Sequence, residues 1–224
     1  MVSRVIQRIS VLVASLAIAG CSMLPSGKER SAPSTNASRP PVAMKADHRQ
    51  CLSRLGAAQA RFVPLSDKYY GGGCSTLSSV SLTRVPGDAG EFELTNLGPV
   101  SCPLAESFAA WARYGVDRAA RQILGSPLVR IETMGSYSCR NVAGSGRRSA
   151  HARAEAIDVG AFVLADGRRI SLVKDWNGGS KEREFLRIVH QSACKRFGTV
   201  LGPNYNAAHR DHFHLELGDG TFCR

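Results

Sequence analysis

The stretch His209-Arg210-Asp211-His212-Phe213-His214-Leu215-Glu216-Leu217 constrains the fold more than any other part of the chain. It sets three of the six histidines within six residues, beside an alternating apolar run. In a β-strand successive side chains point to opposite faces, so His212 and His214 project from one face about 6.8 Å apart while Phe213 and Leu215 enter the other. Such a strand needs a core on one side and a polar site on the other. A sheet with helices packed on one face supplies both.

About sixty residues upstream, Ser149-Ala150-His151-Ala152-Arg153-Ala154-Glu155-Ala156-Ile157-Asp158-Val159 sets a histidine and an aspartate around a small-residue turn leading into an apolar run. Two imidazole nitrogens and one carboxylate oxygen are the three-protein-ligand set that catalytic zinc favours, with the fourth tetrahedral position left to water. Taken together the set is His151, Asp158 and His214, although the residues alone equally allow His212 in place of His214. Structural zinc sites are usually closed by four protein ligands and rich in Cys, and no cysteine here has C-x-x-C spacing. The pattern therefore points to an open site.

At these residues the sequence resembles known families. Ser149-x-His151, Ala156-x-Asp158 and the distant His212-x-His214 are similar to the metal-binding pattern of the zinc peptidases that include lysostaphin-type enzymes, D-alanyl-D-alanine carboxypeptidases and the penicillin-insensitive murein endopeptidase. More closely, the region from about Cys51 to Cys223 resembles the bacterial extensin-like C-terminal domain family. The segments that carry this likeness are Tyr137-Ser138-Cys139-Arg140-Asn141, Val200-Leu201-Gly202-Pro203 and His209 to His214. The closer resemblance implies a cell-wall setting. The more distant one implies a zinc peptidase chemistry, with His214 as ligand, His212 as general base, and Arg140 as the group that holds a substrate carbonyl or carboxylate. In the carboxypeptidase branch a glutamate is the base, and Asp211 is the nearby acid that could substitute here. Ser149 is expected to shape the turn of His151 and to border the substrate.

Arg4 and Arg8 precede an apolar core from Ile9 to Ala19, too short to span a bilayer and typical of a secretory signal. The run ends in Ile18-Ala19-Gly20-Cys21, which matches a bacterial lipoprotein cleavage box. Residues 1–20 are thus expected to be removed and Cys21 lipidated. Ser22, rather than Asp, favours the periplasmic face of the outer membrane of a Gram-negative cell. Residues 21–46 are rich in Ser, Pro, Lys and Arg and can bury little apolar surface, so they read as a flexible tether of about 25–30 Å root-mean-square reach. Residues 47–224 have the size of one domain with a full core.

Six cysteines remain beyond Cys21, at positions 51, 74, 102, 139, 194 and 223, an even number in an exported chain. They allow fifteen pairings, and sequential pairing, Cys51–Cys74, Cys102–Cys139 and Cys194–Cys223, is the expectation. Helices are expected over 47–60, 103–114 and 180–198. Strands are expected over 128–134, over 157–164 and 168–173 around an Asp166-Gly167 turn, and over 214–217. The fold class is α+β: one domain, a mostly antiparallel sheet carrying the metal site, helices on its other face, and three disulfides.

Lys and Arg number 29 against 18 Asp and Glu, a formal charge of +11 that falls to +9 when Arg4 and Arg8 leave with the signal. Nucleic acid is excluded as a partner, because the basic residues are scattered, no aromatic-rich basic stripe accompanies them, and the export signal removes the chain from nucleic acid. The expected partners are peptidoglycan and, through the lipid, a membrane. The leading functional expectation is a zinc-dependent amide hydrolase of peptidoglycan, an enzyme. A wall-binding lipoprotein without turnover and a zinc-stabilised envelope scaffold are the other two readings. The sequence names neither the bond cut nor the oligomeric state.

Overall fold

The computed structural model describes residues 45–224. The expected signal, Cys21 and nearly all of the tether lie outside the described residues. Among the described residues ten strands form one sheet, in the order β1-β4-β5-β7-β8-β11-β10-β12 with β6 on β4 and β9 on β8. These strands are β1 (Arg61–Pro64), β4 (Ser79–Pro86), β5 (Glu91–Thr95), β6 (Pro99–Ser101), β7 (Leu128–Gly135), β8 (Ala156–Leu164), β9 (Arg169–Ser171), β10 (Thr199–Leu201), β11 (Phe213–Glu216) and β12 (Phe222–Cys223). Strands β2 (Lys68–Gly71) and β3 (Cys74–Thr76) make a separate ribbon. All pairs in the large sheet are antiparallel except β5 with β7 and β10 with β12. The sheet is therefore mostly antiparallel, and the α+β class expected from the sequence is the one observed.

Among the described residues four α-helices accompany it: α1 (Ala46–Ala57), α2 (Cys102–Trp111), the short α3 (Leu172–Asp175) and α4 (Ser180–Cys194). Pro103 opens α2, where its fixed φ suits a first turn and its missing N–H removes no helical bond. Strand β8 shows how the core forms. Ile157, Val159, Phe162 and Leu164 are fully or almost fully buried, and Phe162 meets the Trp111 and Phe185 rings of α2 and α4 edge-on at 6.3 and 5.4 Å. Phe213 and Leu215 of β11 are likewise buried, as the alternation around His214 required. Each such side chain contributes about 1.5–3 kcal/mol by leaving water. No helix of the described residues is long and apolar enough to cross a membrane.

Several expectations need correction. The helix expected to end at Tyr114 continues beyond α2 through two π-helical segments, Ala112–Asp117 and Ala120–Leu124, and stops at Gly125 with φ 72°. Gly115 does not break it. A Cβ there would collide with Ser192 Oγ of α4, so glycine serves to let the two helices approach. Strands β1 to β6 were not anticipated. The second hairpin arm is only Arg169–Ser171 and turns at once into α3, while Gly167 at φ 87° and Asp166 Oδ1, which accepts from Arg168 N at 3.0 Å, make the expected turn.

Two of the three disulfides differ from sequential pairing. Cys51 joins Cys102 and Cys74 joins Cys139, whereas Cys194 joins Cys223 as expected. Packing decides this. Helix α1 lies against α2 and brings Cys51 within 6.1 Å (Cα–Cα) of Cys102 at the start of α2. The β2–β3 ribbon lies against the segment after β7, where Cys139 sits 5.6 Å from Cys74.

Candidate metal centre

Strand register brings the two most distant site residues together. In the β8–β11 pair Asp158 stands directly opposite His214, and on its other side Asp158 faces Gly135 of β7. Since neighbours along each strand point into the core, Asp158 and His214 share the opposite face. His151 arrives from a 3₁₀ turn, Ala150–Arg153, just before β8. Ser149 starts this turn, its Oγ accepting from His151 N at 3.3 Å, and Ala154 ends it at φ 56°. Ala152, Ala154 and Ala156 are fully buried, so larger side chains would not fit here.

Three donor atoms converge. His151 Nε2 lies 3.1 Å from His214 Nδ1 and 3.1 Å from Asp158 Oδ2, and His214 Nδ1 lies 2.8 Å from Asp158 Oδ1. Ligands of a tetrahedral zinc at about 2.0–2.1 Å stand about 3.3 Å apart, so the spacing suits such an ion with a small outward adjustment. The remote nitrogens support the fit. His151 Nδ1 lies 3.2 Å from the carbonyl of Ser136, and His214 Nε2 lies 2.7 Å from Glu216 Oε1. Both partners can only accept, so these nitrogens carry the protons. In the neutral rings Nε2 of His151 and Nδ1 of His214 are then lone pairs facing each other and a carboxylate, which is favourable only with a cation between them. Partners that fix tautomers in this way are the usual surroundings of metal-bound histidine.

A proton is the competing cation. Burial lowers the His214 pKa, but Asp158 and then Glu216 outweigh it, so that the pKa rises to about 9. Burial would raise the Asp158 carboxyl, yet the bonds to His151 and His214 hold it well below the usual carboxylate range. Glu216 is lowered in the same sense, mainly by His214 acting against burial.

His212 is not on the strand, which starts at Phe213, yet it ends beside the set. Its Nε2 is 3.7 Å from Asp158 Oδ1, and its Nδ1 is 2.9 Å from Asp211 Oδ1. The contact with the Asp211 carboxylate fixes the ring so that Nε2 faces the centre. The His209 ring lies 5.1 Å from that of His212 and 5.9 Å from that of His214. Burial first, then His212 and His214, push its pKa down to about 4. Arg140 is exposed, and its carbonyl accepts from Ser149 N at 3.1 Å, which seats it beside the His151 turn. Ser149 is buried, and its hydroxyl is spent on that turn.

Sequence reasoning missed Glu216, although the period-2 rule that pairs His212 with His214 extends to it. It also missed the Ser136 carbonyl, which has no side-chain signature. Ser136 is pinned by its hydroxyl donating to the carbonyls of Leu97 and Pro99. Among the described residues a second grouping, His190, Cys194 and Cys223, offers metal-ligand atoms at close range, but its two sulfurs form a disulfide and are not thiolates. His48 is buried, and among the described residues its Nδ1 has no hydrogen-bond partner.

A cleft of about 590 Å³ opens on this face of the sheet. It runs from Asp211 past Gly160, two residues beyond Asp158 on β8, toward Arg130 and Arg169.

The family model described as "Extensin-like protein C-terminus" matches residues 49–224. No curated protein and no solved structure matches the chain.

Proposed function

The chain belongs to the extensin-like C-terminal family, and we propose that it is a zinc-dependent peptidoglycan amide hydrolase of D,D-endopeptidase or carboxypeptidase type. In this reading it is held as a lipoprotein, through Cys21, on the periplasmic face of the outer membrane. The observation that carries the proposal is the convergence of His151 Nε2, Asp158 and His214 Nδ1 on one point, with their outer nitrogens already committed to acceptors. His151, Asp158 and His214 would hold the ion. Zinc bound there would supply Lewis acidity toward a water and a substrate carbonyl.

The rest follows from the chain's own groups. His212, whose Nε2 lies 3.7 Å from Asp158 Oδ1 and whose Nδ1 is held by Asp211, would take the proton of the attacking water and return it to the leaving amine. Arg140 would orient a substrate oxygen through its planar fork of N–H donors. In this reading the cleft lined by Asp211, Gly160 and Arg169 would take the peptide on one side of the centre. A wall substrate is supported by the likeness of the ligand pattern to murein peptidases.

The test uses the mature domain loaded with zinc, purified sacculi, and chromatography of released muropeptides. His212→Ala is expected to keep its zinc and lose about 10²–10⁴-fold in rate, the usual contribution of a positioned acid–base group. Loss of zinc from His212→Ala with retention in His214→Ala would exchange the two roles. No release from sacculi of several crosslink types by fully loaded protein would leave a binding module in place of a hydrolase.

A further inference from the structure

The segment between β7 and the His151 turn is a small hairpin with two unlike faces. Asn141 and Arg148 form an antiparallel bridge, flanked by Ser149 N donating to the Arg140 carbonyl at 3.1 Å and Val142 N donating to the Arg147 carbonyl at 2.9 Å. Residues opposite each other in such a ladder share a face, and neighbours alternate. One face therefore carries Asn141 and Arg148. The other carries Arg140, Val142, Arg147 and Ser149.

The first face is structural. Arg148 donates to Asn141 Oδ1 at 2.9 Å and to the carbonyl of Gly72 at the tip of the β2–β3 ribbon. The Cys74–Cys139 disulfide ties the same ribbon to the hairpin's first arm. The hairpin is thus braced from behind.

The second face holds two exposed guanidiniums, Arg140 and Arg147, that make no hydrogen bond or ion pair among the described residues. As diagonal neighbours across the ladder their Cα atoms stand about 7–8 Å apart, within reach of one shared anion. This face continues into Ser149, whose hydroxyl seats His151. Both charges bear on the groups around His214, that of Arg140 on His209 and that of Arg147 on Glu216.

We propose that Arg140 and Arg147 form a two-guanidinium clamp for a carboxylate carried by the substrate peptide next to the bond presented to the metal centre. Arg147 is the new member, and its role is to set specificity: peptides with a free carboxylate at that place are selected over their amidated counterparts. The inference rests on the peptidase reading of the site. Two planar forks on a braced hairpin match a planar anion, which either one alone would hold with less geometric definition.

The experiment compares zinc-loaded wild type, Arg147→Gln and Arg147→Lys on two muropeptides that differ only in a free or amidated carboxyl beside the scissile bond. Wild type is expected to favour the free carboxylate in kcat/KM. Arg147→Gln should lose about tenfold of that preference, the lower range for a charge-assisted hydrogen bond in an exposed place, mainly through KM and with zinc content unchanged. Arg147→Lys should recover only part of it. Equal effects on both peptides, or none, overturn the clamp. If wild type cleaves neither peptide, the same pair is titrated calorimetrically against the zinc-loaded proteins. A carboxylate preference in binding that Arg147→Gln abolishes keeps the clamp while the hydrolase reading fails, and equal binding refutes the clamp itself.

Discussion

If the centre binds zinc as proposed, replacing Glu216 with Gln separates two effects on zinc affinity that act in opposite directions. Glu216 accepts from His214 Nε2 at 2.7 Å in a largely buried place. As the outer partner of a proposed ligand it would make His214 a better donor, and losing such a partner lowers metal affinity about 10–100-fold. The same carboxylate, with Asp158, also raises the His214 pKa to about 9. Zinc must displace that proton, so at pH 7 it works against about two pKa units, or about 3 kcal/mol. Glu216→Gln weakens the proton's hold and so removes part of this penalty. The penalty is present below pH 9 and vanishes above it. The variant's deficit should therefore be small near pH 7 and widen to its full 10–100-fold above pH 9. The assay is competition against a chelator of known affinity across pH 6.5–9.5, with Glu155→Gln, an exposed glutamate paired with Arg153, as control. A deficit that is constant with pH would break the link to the His214 proton. No deficit at any pH would remove Glu216 from the site.

His151→Ala and His214→Ala should each lower bound zinc sharply, read by elemental analysis after dialysis, and unchanged stoichiometry in both would dissolve the proposed ligand set. Cys21→Ser should move the protein from membrane to soluble fractions in cell fractionation, and unchanged membrane retention would refute the anchor. Gly115→Ala should destabilise by about 1–3 kcal/mol in denaturant unfolding, because the added methyl meets Ser192 across the helix pair. Helix propensity alone would give the opposite sign, so a stabilised variant would refute the packing argument. Ser192→Ala in the same background should recover part of the loss.

The site was legible because its residues obey short-range rules. His214 follows the strand period, and Asp158 sits in an apolar run that fixes which way it points. What strand period could not supply was the third dimension. Cys51 meets Cys102 because α1 packs on α2, and no spacing encodes that contact. Strand β4 was hidden for a local reason: Val80 and Leu82 alternate inward, but Thr83 and Arg84 are both exposed before Val85 is buried, which breaks the period. The continuation of α2 past Tyr114 was hidden because the need for a glycine at position 115 comes from Ser192 of α4, a contact that local sequence does not encode.

The order of strands in the sheet also fixes when the centre can exist. Asp158 lies on β8, and its partner β11 comes near the end of the chain, after α4 and β10. A chain that emerges from its N-terminus presents His151 and Asp158 first, and completes the set only when residues up to His214 have followed. Domains generally condense as units once enough sequence is free, and the strand that completes the set, β11, is the last but one in the chain. The three ligand atoms cannot be brought together inside a channel through which the chain passes extended. If the chain is exported and binds an ion as proposed, it would acquire that ion where it folds, from the pool on the far side of the membrane.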